Sequence, residues 1–518
     1  MRLVLNLLVA ALLFAIGGPA HAEWWEAQTD HFIIYSRSSE KDARAFAERL
    51  ERYDQSLRSL QLIKPDYRLS DARKVKIFRA GTTTQISQLA GDADAGIAGF
   101  YIPRAAGPVA FVPAREMVQL RSELDPETVL KHEYAHHFMF RHFAAAYPSW
   151  YVEGLAETYA TVRFNPDGSF HLGDVPQYRG SLLVGKYRTY FDYSIRRMLT
   201  STAKPTGEDF IARYTYGWLF THYMTFEPSR KGQLLTYLRL LNQGVSSAVA
   251  AQRAFGDLDK LEAEVSRYKN GNRFLGADVK PANYKPPVVT MRQVGPDEEA
   301  ILPVVMRSKV GVTPRTAKDV AGDARSVAAR YPGSFAVQLA LAEAEMDAEN
   351  FDAADAAASA AIALKPDSAE ALYYKGQVAL AKGKTDPIQY QAARGWFAKA
   401  HDADPDHPGP LIGNYLTYSK ANVAIPEVAV IGLENAYRLA PYDDDLRMLL
   451  ARQELTENKL DIAKMLLVPL ALSPHENKQS KALDEVVDQI DAGNRAEAIA
   501  KLDAWTKKAE EEKKKKGD

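Results

Sequence analysis

The 518-residue chain contains no cysteine. That excludes disulfides, thiolate metal sites and a cysteine nucleophile. An excess of one charge is also missing: 65 Lys and Arg stand against 66 Asp and Glu, a formal net charge of -1. Nothing in that balance points to nucleic acid or to an anionic membrane as a partner. Long apolar runs are absent after the N-terminus, so no membrane span is expected in the mature chain. Histidine is scarce, with 11 residues in all, yet three of them fall within His132–His137 of the stretch "KHEYAHH".

The N-terminus is patterned. Arg2 precedes an apolar run from Leu3 to Ile16, followed by Gly17-Gly18-Pro19 and Ala20-His21-Ala22. A charged start, a short apolar core and a small-x-small site form the pattern of a cleaved signal peptide. The run is shorter than the roughly 20 residues that a spanning helix needs. Residues 1–22 are therefore expected to be removed, leaving a mature chain that begins at Glu23 and is exported, to the bacterial periplasm. With no cysteine following the site, a lipoprotein is excluded.

Two differently patterned halves follow. Over residues 23–275 the reading is mixed. "HFIIYS" (His31 to Ser36) and "KVKIF" (Lys74 to Phe78) read as strands, and Glu40 to Leu60 has apolar residues at helical spacing. "IAGFYI" (Ile97 to Ile102) and "PVAFVP" (Pro108 to Pro113) read as a hairpin. After Pro113 the pattern is mainly helical, giving an α+β arrangement. A Pro-rich segment, residues 276–291, reads as an extended, semi-stiff linker. Residues 292–507 are Ala-rich and helical, and residues 508–518 are a charge run expected to be frayed and disordered.

The helical half repeats. Prolines at 332, 366, 405, 441 and 474 follow one another at separations of 34, 39, 36 and 33 residues. A period near 34 with a proline closing each second helix resembles the tetratricopeptide repeat. "ALYYKGQVALAKG" (Ala371 to Gly383) resembles the first helix of a repeat, with Gly376 where two helices approach closely. "ARGWFAKAHDADP" (Ala393 to Pro405) resembles the second. Such a solenoid leaves a concave groove, which implies a protein partner there.

The histidines lie on a helix. Asp125, Pro126 and Glu127 form an N-terminal signature, a capping acceptor followed by proline in the first turn. His132 and His136 are four apart and share one face, and Glu133 stands beside them, which makes the H-E-x-x-H zinc motif. A helix with exposed histidines is the plainer alternative. His137 projects about 100° from His136 and is a poor co-ligand. An open zinc site needs a third protein ligand.

The segment "WYVEGLA" (Trp150 to Ala156) resembles the second metal-binding helix of the gluzincin zinc peptidases, the group of the thermolysin-like enzymes and large aminopeptidases. The resemblance implies Glu153 as third ligand and Glu157 as an acid that orients a ligand histidine, the plainer reading of Glu157 being a solvated residue. "YTYGWLFTHYM" (Tyr214 to Met224) resembles an aminopeptidase helix whose tyrosine stabilises the oxyanion. Register gives that role to Tyr214, with Tyr216 and His222 as competitors. The resemblance covers His132 to Ala250. It departs from the family where "GIAGFYIP" (Gly96 to Pro103) lacks the acid by which aminopeptidases hold the substrate N-terminus.

The expected fold is thus an α+β metallopeptidase domain of thermolysin/gluzincin type followed by an all-α tetratricopeptide-repeat solenoid. The expected activity is zinc-dependent hydrolysis of a peptide or protein substrate, with one Zn²⁺ per chain and Glu133 as general base. The strand Ile97–Ile102 would pair with substrate at its edge. The alternative is a zinc-containing, non-catalytic envelope scaffold assembled through its repeats. A peptidoglycan crosslink is a third candidate substrate. A chain ending near Asn270 is expected to keep zinc and cleave short peptides.

Overall fold

The computed structural model describes residues 23–515 apart from 65–67, 92–96, 115–124, 144, 146, 177–178, 180–182, 184–192, 202–205, 272, 283 and 472–477. The expected signal peptide and Pro474 lie outside the described residues.

Nearly continuous buried runs build the first sheet. β1 (Trp24–Gln28) and β2 (Phe32–Arg37) pair antiparallel, and β2 is parallel to β3 (Val75–Arg79). The hairpin read from the sequence is present: β4 (Phe100–Ile102) pairs antiparallel with β5 (Val109–Val112), which runs parallel to β3. The helix read over Glu40–Leu60 is α1, capped by the Ser39 side chain, which accepts from Asp42 N–H. Its Phe46, Leu50, Tyr53 and Leu57 recur at helical spacing and are buried against Phe32, Ile34 and Ile77 of the sheet. A short helix, α2 (Thr83–Leu89), follows β3.

The helices after the hairpin carry the candidate site. They are α3 (Pro126–His142), α4 (Ser149–Ala160), α5 (Ile195–Thr200), α6 (Gly207–Phe226), α7 (Gln233–Asn242), α8 (Ser247–Phe255) and α9 (Leu258–Asn270). Two short strands, β6 (Arg163–Phe164) and β7 (Phe170–Leu172), form a hairpin after α4.

The segment expected as an extended, semi-stiff linker is paired into sheets at both ends. β8 (Ala277–Val279) pairs with β7, and β9 (Thr290–Gln293) pairs with β1. β9 completes a six-stranded sheet of order β4-β5-β3-β2-β1-β9. The reason is physical: β1 would otherwise present unpaired N–H and C=O groups, and residues past Pro287 carry the donors to satisfy them.

Among the described residues, six helix pairs follow: α10 (Pro296–Val310) with α11 (Pro314–Arg330), α12 (Phe335–Asp347) with α13 (Phe351–Leu364), and α14 (Ala369–Lys382) with α15 (Gln389–Ala403). Then come α16 (Pro408–Lys420) with α17 (Glu427–Leu439), α18 (Asp444–Thr456) with α19 (Leu460–Ala471), and α20 (Lys478–Asp491) with α21 (Arg495–Lys515). Pro332, Pro366, Pro405 and Pro441 each stand just after the second helix of a pair. At Gly376 a Cβ would come within 2.6 Å of the Phe397 ring, so the close approach of α14 and α15 requires glycine there. The charge run expected to be frayed continues as helix α21 to Lys515.

Helices α10, α12 and α14 of the solenoid face the first domain. Leu302 of α10 is buried with Trp24, Phe78, Phe111 and Val294, covering the sheet face opposite α1. A cavity of about 270 Å³ between sheet and solenoid is lined by Lys76, Phe78, Lys309, Glu343, Glu370 and Tyr374, among others. This part of the solenoid surface is therefore covered by the chain itself and not free for a partner. An apolar sheet needs cover on both faces, and α10 is the next helix in the chain.

Candidate metal centre

α3 begins where the sequence indicates. The Asp125 carboxylate accepts from Glu127 N–H and Thr128 N–H, and Pro126 opens the helix. The i, i+4 spacing brings His132 Nε2 and His136 Nε2 to 3.1 Å. Glu153 of α4 closes the triangle. Its Oε2 is 3.2 Å from His132 Nε2 and 3.5 Å from His136 Nε2. Donor atoms of the three residues all lie within 4.8 Å of one another.

Two glycines make this geometry accessible. α4 and α6 cross with their backbones in contact: a Cβ on Gly154 would overlap the carbonyl of Gly217, and one on Gly217 would overlap that of Trp150. Gly154 directly follows the candidate ligand Glu153. The crossing brings Tyr214 beside His132, their rings 6.3 Å apart and stacked at 25°.

The three donors fit a zinc ion. Zinc–ligand distances near 2.0–2.2 Å give edges of roughly 3.3–3.6 Å in a tetrahedron, and the observed triangle is close to that size. The electrostatics agree. Burial opposes charging of His132, but its hydrogen bond to Glu153 and the Glu157 carboxylate raise it to about 9. Burial also opposes ionisation of Glu153, yet His136 and His132 hold its carboxyl well below the usual range. A cation among these atoms is favoured.

Around the triad stand the remaining residues. Glu133 is half-buried, and its charge acts on His132 and Tyr214. Glu157 is 1% exposed, so it is not a solvated helix residue. Its Oε1 lies 3.8 Å from His132 Nδ1 and accepts from Arg179 Nε at 3.0 Å. The Arg179 guanidinium also lies 4.5 Å from the centre of the Tyr214 ring. Burial, then the Glu153 carboxylate, raises the Tyr214 phenol, which stays protonated and able to donate. Arg179 had no sequence signal: it belongs to no periodic segment, and only its contacts reveal it.

The competitors are placed elsewhere. Tyr216 is buried and its hydroxyl accepts from Lys269 Nζ at 3.0 Å. His222 is fully buried, with Nε2 3.0 Å from Gly173 O and Nδ1 3.0 Å from Tyr268 OH. Burial lowers it to about 4. His137 faces away from the triad, its Nδ1 2.6 Å from Tyr101 OH.

The rear of α3 is anchored to α1. Tyr134 OH donates to Asp54 Oδ1 at 2.7 Å, and Arg58 Nε donates to Asp54 Oδ2 at 2.5 Å. His31 Nδ1 lies 2.7 Å from Glu51 Oε1. His31, Glu51 and Asp54 are also close enough to share an ion. Arg58 Nη2, 3.1 Å from His31 Nε2, already supplies the cation, which marks this group as a structural charge network.

Comparisons with known proteins find distant similarity among solved structures. No family model matches the chain, and no curated protein matches it. Among solved structures, the tetratricopeptide protein TTC0263 of Thermus thermophilus is 14% identical, covering 38% of this chain and 98% of its own, with a TM-score of 0.32. PilF of Pseudomonas aeruginosa is 16% identical over 41% of this chain and 91% of its own, with a TM-score of 0.32. Yeast Tom70 is 12% identical over 70% of this chain and 69% of its own, with a TM-score of 0.31. No helix among the described residues is long and apolar enough to cross a membrane.

Proposed function

We propose that the first domain is a zinc-dependent peptidase of gluzincin type. The observation that carries this reading is the convergence of His132, His136 and Glu153 from two helices, with Glu133, Glu157 and Tyr214 beside them. His132, His136 and Glu153 would hold the ion. Bound there, zinc supplies Lewis acidity, polarising a carbonyl and bringing the pKa of water toward about 7. Glu133 accepts the proton of the attacking water and returns it to the leaving amine. The Tyr214 hydroxyl donates to the developing oxyanion. The Glu157 carboxylate, 3.8 Å from His132 Nδ1, favours a proton on that nitrogen and so the tautomer that leaves Nε2 for the metal. The edge strand β4 adjoins α3 and offers backbone groups to an extended peptide.

The test is metal content. Purified protein should carry about one zinc per chain, and His132→Ala or Glu153→Ala should lose it. Full occupancy in both variants would show that these residues are not the ligands.

A second reading has its own support. The helix-pair solenoid over residues 296–515 is the architecture of protein-binding repeats. On that reading the chain is an envelope scaffold with a zinc-containing, non-catalytic first domain. A purely structural site has no use for Glu133, so its removal separates the two.

A further inference from the structure

We infer that the Ala440–Asp443 turn, between the fourth and fifth helix pairs, is a positioning element for the metal-binding helix α3. The inference rests on the metal site proposed above. It adds that the solenoid helps to hold that site in shape.

Tyr442 is 4% exposed, and its ring lies 4.5 Å from the ring of His137, the residue next to the candidate ligand His136. His137 Nδ1 also lies 2.6 Å from Tyr101 OH. Phe140, one turn beyond His136, packs into the same solenoid cluster as Tyr442, Tyr415 and Leu446. The solenoid thus grips α3 at two positions close to the ligand.

Asp443 ties the turn down with both carboxylate oxygens. Oδ1 accepts from Leu446 N–H at 2.8 Å and caps α18. Oδ2 accepts from Ala105 N–H at 2.6 Å, in the loop joining β4 to β5. One side chain therefore joins the solenoid to the hairpin whose Tyr101 holds His137. Ligand histidines bind tightly only when their helix is held in one orientation, so freeing α3 lowers metal affinity.

The Tyr442 hydroxyl is buried without a hydrogen-bond partner. The ring alone does the packing, which supplies a control. Zinc affinity is measured by competition with a chelator, and amide hydrogen exchange is followed over α3, for Tyr442→Ala, Tyr442→Leu and Tyr442→Phe in the full chain. Tyr442→Phe should match wild type in both. Tyr442→Ala should bind zinc about tenfold or more weakly and exchange faster over residues 132–142, with Tyr442→Leu between them. Should Tyr442→Ala fail to fold, the Leu and Phe variants decide. Wild-type zinc affinity and α3 exchange in both Ala and Leu variants would overturn the inference. If wild-type protein binds no zinc, the metal reading fails, and the exchange comparison still tests the positioning role.

Discussion

Gly154 and Gly217 touch backbone to backbone where α4 crosses α6, one residue from Glu153 and three from Tyr214. In an open helix, Gly→Ala gains up to about 1 kcal/mol. Here the added methyl meets backbone, which cannot swing aside, and overpacking of this kind costs about 1–3 kcal/mol or more. Gly154→Ala is expected to lower stability in urea unfolding and to weaken zinc binding by parting Glu153 from the histidines. A stabilised variant would mean that the crossing is looser than described.

Arg179 and Glu157 form the outer support of His132. Glu157→Gln or Arg179→Ala should weaken zinc about 10–100-fold, the usual effect of losing a group that orients a ligand. Arg179→Lys should retain part of the affinity, because it keeps the charge beside Glu157 and loses the planar fork. Chelator competition measures both. Unchanged affinity in Arg179→Ala would confine Arg179 to a role in packing on Tyr214.

Asp54 gives a pH dependence. It is fully buried, and although burial opposes its charge, His31 and Arg58 hold its pKa below the ordinary 3.8. A depressed carboxyl contributes stability that is present above the unfolded value and is lost as pH falls through the folded one. Asp54→Asn should cost about 3–5 kcal/mol at neutral pH, the scale for breaking a buried ion pair. The difference from wild type should shrink as pH drops below about 4. Urea midpoints across that range check this, and a gap independent of pH would contradict it.

Truncation near Asn270 should fail, contrary to the expectation drawn from sequence. It removes β9 from the sheet edge and α10 from the face bearing Trp24, Phe78 and Phe111. Each large apolar side chain uncovered costs about 1.5–3 kcal/mol, and several together rival a domain's stability of about 5–15 kcal/mol. The truncated chain is expected to aggregate or to exchange all its amides rapidly. A soluble, zinc-binding fragment would show that the two halves are separable.

The parts legible in the sequence were local. The Asp125 cap, the histidine spacing, Gly376 and the proline period each follow from a few neighbouring residues. Motif resemblance points to Glu153 and Tyr214, and the structure brings both beside His132. What escaped was long-range. Arg179 meets Glu157 across 22 residues without a periodic segment, and Tyr442 meets His137 from the far half of the chain. β9 is short and follows two prolines, so its pairing depends on the exposed edge of β1 and not on its own pattern.

The central claim is that Glu133 performs proton transfer at a zinc site. The direct measurement is peptide hydrolysis by wild-type protein and by Glu133→Gln, with zinc quantified in both. The amide is nearly isosteric and cannot accept the proton. The expected result is equal zinc and a fall in kcat of about 10² or more. Equal turnover by the two proteins, or no turnover by zinc-loaded wild type on any peptide, would contradict it.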